Sequence, residues 1–244
     1  MEKEYQIFGI RAVIEAISAG KTIDKVFVQK GLKSPLFQEL QTLLQKEQIG
    51  VSQVPAEKLN RLTKKNHQGV VALLAPVEYH DFENLVMTSI ESGKTPLFLI
   101  LDHLSDVRNF GAIIRSAECT GVSGIIIPKK GSVSVTADTV KTSAGAVFNV
   151  PICKVDNLRD AVYYLQGSGV KVLAATEKTD SLLYQVPMTQ PLAIIMGAED
   201  TGISPALLKL ADAKAKLPMV GEIGSLNVSV ACGVFLYEVM RQRL

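Results

Sequence analysis

Leu192-Ala-Ile-Ile-Met-Gly-Ala-Glu-Asp-Thr-Gly-Ile-Ser-Pro205 compresses a strand, a turn and a helix start into fourteen residues. The unbroken apolar run Leu192–Met196 suits a strand buried on both faces, as in a parallel sheet. Ser204-Pro205 pairs a capping residue with a first-turn proline. Gly197 and Gly202 bound the loop between them with the spacing of a phosphate loop. Ile203 stands where such a loop needs Lys, which argues against a nucleoside-triphosphate site. The loop suits a smaller ligand, because glycine lets backbone come close; a plain turn is the equally open reading.

Working outward, Pro96–Leu101, Ser123–Ile127 and Val170–Ala174 are apolar runs of the same kind, with helical periodicity between them. Strand and helix in alternation predict an α/β domain over 96–244, with ligands held in the loops that follow the strands. In the segment Asp102–Arg115, Phe110, Ile113, Ile114 and Ala117 follow helical spacing, so a helix begins near Asn109. Gly111, Arg115 and Glu118 share its other face. Taken alone, Asn109 reads as an N-cap and Arg115 as a surface partner of Glu118. In Leu217-Pro-Met-Val-Gly-Glu-Ile-Gly-Ser-Leu-Asn-Val-Ser-Val-Ala231 and the residues after it, two apolar stripes run along one helix. Val228, Ala231, Cys232, Phe235 and Val239 form one; Val230, Val234 and Tyr237 form the other. A helix apolar on two faces is buried or lies in an interface.

The first third is a separate α/β unit. Helices are expected over 10–17, 34–48 and 55–62, and strands over 25–28 and 70–74. Residues 76–95 break any clean period and read as a linker with room for one helical turn. The expected division is therefore a domain over 1–78, a linker over 79–95 and a domain over 96–244. Residues 1–80 hold 11 Lys and Arg against 8 Asp and Glu, while 81–244 hold 15 against 16. The basic excess, modest as it is, sits in the first third. Cys119, Cys153 and Cys232 are odd in number and far apart, and His67, His80 and His103 have no ligand spacing, so neither disulfides nor a metal site is expected. No apolar run is long enough for a membrane span. The charged start Met1-Glu2-Lys3-Glu4-Tyr5 lacks the pattern of a secretory signal, and a cytoplasmic protein is expected.

In conjunction, NxGxxxR from Asn109, GAExxG from Gly197 and LPMxGxxxSLNVSVA from Leu217 resemble the three motifs of the SpoU (TrmH) family of the SPOUT methyltransferases. The resemblance runs over essentially the whole chain. The first third, with Phe8-Gly9, Ala12-Val13 and His67-Gln68-Gly69-Val70, is similar to the family's substrate-binding domain. The nearest type methylates a guanosine ribose of 23S ribosomal RNA.

The resemblance implies an α/β fold, a SPOUT-type parallel sheet with a C-terminal trefoil knot, beside a small N-terminal α/β substrate-binding domain. It implies S-adenosylmethionine as cofactor, held by Gly197, Leu217 and Leu226, with Thr176, Ala198 and Met219 nearby. It places Asn109, Arg115, Glu199, Ser225 and Asn227 at the catalytic and RNA-facing positions. It implies a homodimer joined through the C-terminal helix, with RNA as partner and no membrane. Asp200 stands where the family often has Gly, and Ile10-Arg11 replaces a more usual pair.

In the family Arg115 would be the base. Arg stays protonated in nearly all settings, so binding a phosphate or the developing alkoxide is an open alternative. Arg11, Lys30, Lys33, Arg61, Lys64 and Lys65 are candidate phosphate contacts, which position RNA without reading its sequence. A transfer-RNA substrate, or a non-catalytic RNA-binding factor of the same fold, are the rival readings.

Overall fold

The computed structural model describes residues 6–47 and 49–244. The charged start 1–5, and Gln48 at the end of the helix expected over 34–48, lie outside the described residues. The chain forms two compact units, one of residues 1–78 with 134–137 and one of 79–133 with 138–244.

The first unit runs β1 (Gln6–Phe8), α1 (Ile10–Ser18), β2 (Ile23–Gln29), α2 (Pro35–Lys46), β3 (Val51–Val54), α3 (Ala56–Leu62), β4 (Val70–Leu74). Its sheet has the order β1-β4-β2-β3. β2 pairs parallel with β3, and β4 pairs antiparallel with β1 and β2. The three expected helices form. α2 starts where Ser34 accepts the Phe37 N–H and Pro35 follows in the first turn. β1 and β3 escape a reading by period, because strands of three and four residues hold too few alternations to register. Period two divides the strand residues between two cores. Val26, Val28, Val70 and Ala72 pack with Val13 of α1 and Leu40 and Leu44 of α2. Phe27, Val54 and Val71 pack on the other face with Leu59 of α3.

The second unit runs α4 (Phe82–Glu91), β5 (Leu97–Leu101), α5 (Val107–Cys119), β6 (Gly124–Pro128), α6 (Ala137–Thr142), β7 (Ile152–Val155), α7 (Leu158–Gly167), β8 (Lys171–Ala175), β9 (Leu192–Met196), α8 (Pro205–Leu210), β10 (Ala213–Ala215), α9 (Val228–Arg243). Its six strands, in the order β10-β8-β9-β5-β6-β7, are all parallel. Every residue of β5, β6 and β9 is buried, which is why these strands read as continuous apolar runs. Phe98, Ile100, Ala193 and Ile195 face a layer that includes Val86 of α4, Leu158, Val162 and Leu165 of α7, and Leu207 of α8. The alternate residues point the other way, toward the layer where α5 and α9 pack on each other.

α4 corrects the reading of 79–95 as a linker. Asp81 caps a helix of ten residues by accepting the Asn84 N–H at 2.8 Å. Val86 is the one buried residue on it, and a stripe that thin does not rise above the surrounding polar residues. β7 and β10 were likewise not legible; both are short, and a lysine breaks each apolar run.

The last turn of α9 sews the helix to the entry of the two central strands. Arg243 donates to the carbonyls of Thr95, Pro96, Met188 and Gln190 at 2.7–3.3 Å. Gln242 accepts the Met188 N–H at 2.8 Å and donates to the Val186 carbonyl at 3.0 Å. Beside them Glu238 is 5% exposed. It accepts two bonds from the Arg241 guanidinium and one from Gln242, all at 2.8 Å.

Charge-assisted bonds from Arg241 outweigh burial and pull the Glu238 carboxyl from 4.5 down to about 2. A depressed carboxyl stabilises the fold above its unfolded pKa, and that contribution drains away as pH falls from 4.5 toward 2. Urea unfolding across this window should therefore show the native chain losing stability more steeply than Glu238→Gln. Parallel pH profiles would show that Glu238 is not coupled to folding.

Candidate active site

Three segments far apart in sequence meet at the C-terminal ends of β5 and β9. The first helix residue of α5 is Val107, and its cap is Asp106, whose carboxylate accepts from the amides of Arg108 and Asn109. This corrects the expected start near Asn109. Because Asp106 does the capping, the Asn109 side chain is free to reach across: its Nδ2 donates to Glu199 Oε1 at 2.7 Å. Asn227 caps α9, its Oδ1 accepting from Ser229 and Val230. With its oxygen committed, its Nδ2 turns to Asn109 Oδ1 at 3.0 Å. One cap thus sets the direction of the chain Asn227→Asn109→Glu199 and delivers two amide donors in series to a carboxylate.

Glu199 sits in a loop held shut by its own backbone. Ala198 and Gly202 exchange hydrogen bonds at 2.9 and 3.2 Å. A Cβ on Gly197 would lie 2.1 Å from the Gly202 carbonyl carbon and 2.3 Å from the Ile203 nitrogen. Closeness to a ligand was the expected reason for this glycine; the space a side chain needs is in fact taken by the loop itself. Gly111 has a similar explanation: its Cβ would meet Thr142 Oγ1 at 2.0 Å, so α5 can lie against the end of α6 only without a side chain there.

Asp102, quoted within the first motif but given no role from sequence, is the residue that seats the loop. It is 1% exposed. Its Oδ2 accepts the Ser204 N–H at 2.7 Å, where α8 begins, and its Oδ1 lies 2.5 Å from His103 Nδ1. A buried carboxylate needs such partners. The signal for it was an acidic residue ending an apolar run.

Below the hydrogen-bonded chain lies a cleft of about 960 Å³. Thr176, Gly197, Ala198, Leu217, Met219 and Leu226 all line it, as do Glu199, Ser225 and Asn227. Thr176 is buried and accepts the Lys178 N–H. Asn109 meets the cleft through Glu199 and Asn227. Arg115 does not line it. It lies six residues beyond Asn109, about 9 Å along the helix, exposed and without a hydrogen bond or ion pair among the described residues. The expected pairing with Glu118 is not formed. Lys178, Leu182, Lys216 and Phe235 line the cleft without having been expected.

The far wall is unusual in its backbone. Residues 217–226 make no backbone hydrogen bond among the described residues. Val220 and Ile223 are more than three-quarters exposed, and Met219 and Leu226 about 40%. Flat apolar surface beside unused N–H and C=O groups fits a planar, hydrogen-bonding heterocycle. No three His, Cys, Asp or Glu side chains converge among the described residues. Burial pushes the Cys153 and Cys232 thiols up to about 12, so neither is a nucleophile.

Two expected outcomes follow from the close approach and from the chain of amides. Gly197→Ala should cost about 1–3 kcal/mol of unfolding free energy through overpacking. Gly202→Ala, at φ +68 with open space around it, should cost only the strain of a left-handed residue, about 1–2 kcal/mol. Gly197→Ala as stable as the native chain would refute the closure argument. Asn109→Asp places a carboxylate against Glu199 and should impair function more than Asn109→Ala; equal activity of the two variants would show that the donated bond does not matter.

Residues 96–237 match the SpoU rRNA Methylase family, and residues 6–80 match the RNA 2′-O ribose methyltransferase substrate-binding family. A Staphylococcus aureus protein, provisionally named a TrmH family tRNA/rRNA methyltransferase, is 40% identical over 238 residues, 97% of this chain and 96% of that one. The AdoMet-bound rRNA methyltransferase of Sinorhizobium meliloti is 26% identical and matches with a TM-score of 0.63 over 98% of this chain and 88% of that one. The TrmH/SpoU tRNA-modifying enzyme of A. aeolicus is 30% identical, with a TM-score of 0.57 over 66% of this chain and 82% of that one. With both matched regions, and with three motifs meeting at one cleft, the chain belongs to the SpoU (TrmH) methylase family.

Proposed function

We propose that the chain transfers a methyl group from S-adenosylmethionine to a ribose 2′-hydroxyl of structured RNA, and that this RNA is 23S ribosomal RNA, at a guanosine. The observation that carries the reading is the cleft: an unbonded backbone wall with apolar side chains, and at its rim the chain Asn227–Asn109–Glu199. Full-length agreement with an rRNA methyltransferase, against 66% coverage with a tRNA-modifying enzyme, favours the ribosomal substrate.

Gly197, Ala198, Leu217, Met219 and Leu226 would hold the cofactor, with Thr176 beneath them. When bound, it supplies an electrophilic methyl on a sulfonium. The protein's part is alignment, worth on the order of 7 kcal/mol or more at best. Glu199 and Asn109 orient the ribose edge, and Ser225 and Asn227 shape the pocket. Arg115 stands outside the cleft of its own chain; permanently charged, it would meet a phosphate of the bound RNA, or the developing alkoxide once RNA is seated, while the hydroxyl proton leaves to phosphate or water.

Two further parts of the reading rest on α9. The chain leaves β10 at one sheet edge and returns to the centre to set Asn227 against Asn109, a path that supports a trefoil knot. Of the two apolar stripes on α9, the one with Val228, Cys232, Phe235 and Val239 packs inward. Val230, Tyr237 and nearby Tyr184 are more than half exposed and frame a groove of about 500 Å³ with Gly233 and Val234. Apolar surface of this kind supports a homodimer joined through α9. Residues 1–78 would grip the RNA.

Arg115→Ala should lower the single-turnover rate of methyl transfer to ribosomal RNA by roughly 10²-fold or more. Cofactor affinity by calorimetry should stay unchanged. Arg115→Lys should restore little, because Lys lacks the planar fork. A near-normal rate for the Ala variant would remove Arg115 from the site. Mapping of 2′-O-methyl groups in cells with and without the protein separates a ribosomal target from a transfer-RNA one, and no change in either would favour a non-catalytic factor.

A further inference from the structure

The two faces of the N-terminal sheet are built unequally. α1 and α2 cover one face; the helices themselves carry Arg11 and Lys46 against Glu15 and Glu39, and the segments flanking them add Lys21, Lys30 and Lys33 against Glu47. Among the described residues the other face carries one helix, the seven residues of α3, and here the charge is one-sided. Residues 56–69 hold Lys58, Arg61, Lys64 and Lys65 against Glu57 alone. Their surplus equals the whole basic excess of residues 1–80.

These cations are also placed. Lys58 Nζ stands 5.3 Å from the centre of the Phe27 ring, and Lys25 Nζ stands 5.4 Å from the same ring. Lys65 Nζ stands 5.0 Å from the Phe8 ring. Phe27 is part of the small core under α3, and Phe8 packs against it. The lysine stems therefore lie along apolar surface while the ammonium groups stay in water. No carboxylate pairs with Lys25, Lys58, Arg61, Lys64 or Lys65 among the described residues.

The loop after α3 is held as well. His67 Nδ1 accepts the Gly69 N–H at 3.0 Å, which leaves the proton on Nε2 to donate to Asn60 Oδ1 at 3.0 Å. Gln68 accepts the Ile10 N–H at 3.3 Å. Lys25, Lys58 and Lys65 at the two rings, with Arg61 and Lys64 close by in sequence, repel one another; salt screens that repulsion, and an extended polyanion relieves it for all of them at once.

We infer that RNA lies across this face, its phosphates meeting Lys25, Lys58, Arg61, Lys64 and Lys65, while the α1–α2 side of the sheet faces away from it. The inference rests on the proposed RNA substrate and narrows it to one side of one sheet. Of the basic residues singled out in the sequence, Arg61, Lys64 and Lys65 belong to the contact and Arg11 does not. Contacts of this type grip backbone shape, so a structured RNA is held here and its target base is chosen elsewhere.

The test uses the full chain and two matched variants that each remove three positive charges. One is Lys58→Gln with Arg61→Gln and Lys64→Gln; the other is Arg11→Gln with Lys21→Gln and Lys46→Gln. Binding to a fluorescein-labelled 30-nucleotide RNA hairpin is titrated from about 50 to 200 mM salt. The α3 variant should lose about tenfold or more in affinity. Its salt slope should shrink by about 0.7–0.9 per cation removed. It should keep its cofactor affinity by calorimetry. The matched variant should stay within about twofold of the native chain. Equal losses in both variants, or a larger loss in the second, overturn the placement while the RNA substrate stands. A native chain that neither binds the hairpin nor methylates ribosomal RNA overturns both.

Discussion

The hydrogen bond from Asn227 to Asn109 is the constraint on which the second unit turns. Asn227 has to cap α9, because the first amides of a sixteen-residue helix otherwise lack partners. That use of its oxygen leaves only its NH2 group for Asn109, and Asn109 then has only its NH2 for Glu199. The helix that closes the fold and the carboxylate at the rim of the cleft are therefore locked in one orientation by a single capping decision. To reach that position from β10 at the sheet edge, the chain must cross open ground through 217–226. The crossing leaves its backbone without hydrogen-bond partners among the described residues, and it forms a wall of the cleft. At the far end, four carbonyls on Arg243 keep the helix from sliding.

The rim is built by exclusion as much as by attraction. Gly197 and Gly111 each sit where a single added carbon would overlap another part of the chain. Overlaps near 2 Å with backbone or a short side chain are not relieved by rotating a side chain. Asp102 then supplies the attractive half. A buried carboxylate costs several kcal/mol unless its oxygens are satisfied, and the Ser204 amide and His103 satisfy both. The loop carrying Glu199 is thus held at both ends, by packing at its start and by a charge-assisted bond at its finish.

The first unit answers a different demand. A sheet with two helices on one side and one short helix on the other buries less apolar surface on its thin side. There the stems of lysines take over part of the covering, over Phe8 and Phe27. Stability and charge presentation come from the same residues: the methylenes shield the rings and the ammonium groups remain available to phosphate.

What the sequence determined by itself was local or periodic. Continuous apolar runs marked β5, β6 and β9, because a strand buried on both faces has no polar face to interrupt it; the run that marked β8 is broken by exposed Lys171. The periodicity of α1, α2, α5 and α9 marked their buried stripes, and the second and third motifs named Gly197, Ala198, Glu199, Leu217, Met219, Ser225, Leu226 and Asn227 of the cleft, while Arg115 of the first lies outside it. What only the tertiary structure decided were features fixed by partners distant in sequence. Asn109 is freed from capping by Asp106 and claimed by Glu199, 90 residues on. Gly197 is explained by Gly202 and Ile203 folding back on it, Asp102 by an amide 102 residues away. α4 is held by one buried valine that no period announces. Arg115 is left exposed and, among the described residues, unpaired, although its spacing to Glu118 allowed an ion pair. Spacing fixes which residues share a face, but the free energy of a particular contact depends on what the rest of the fold brings against that face.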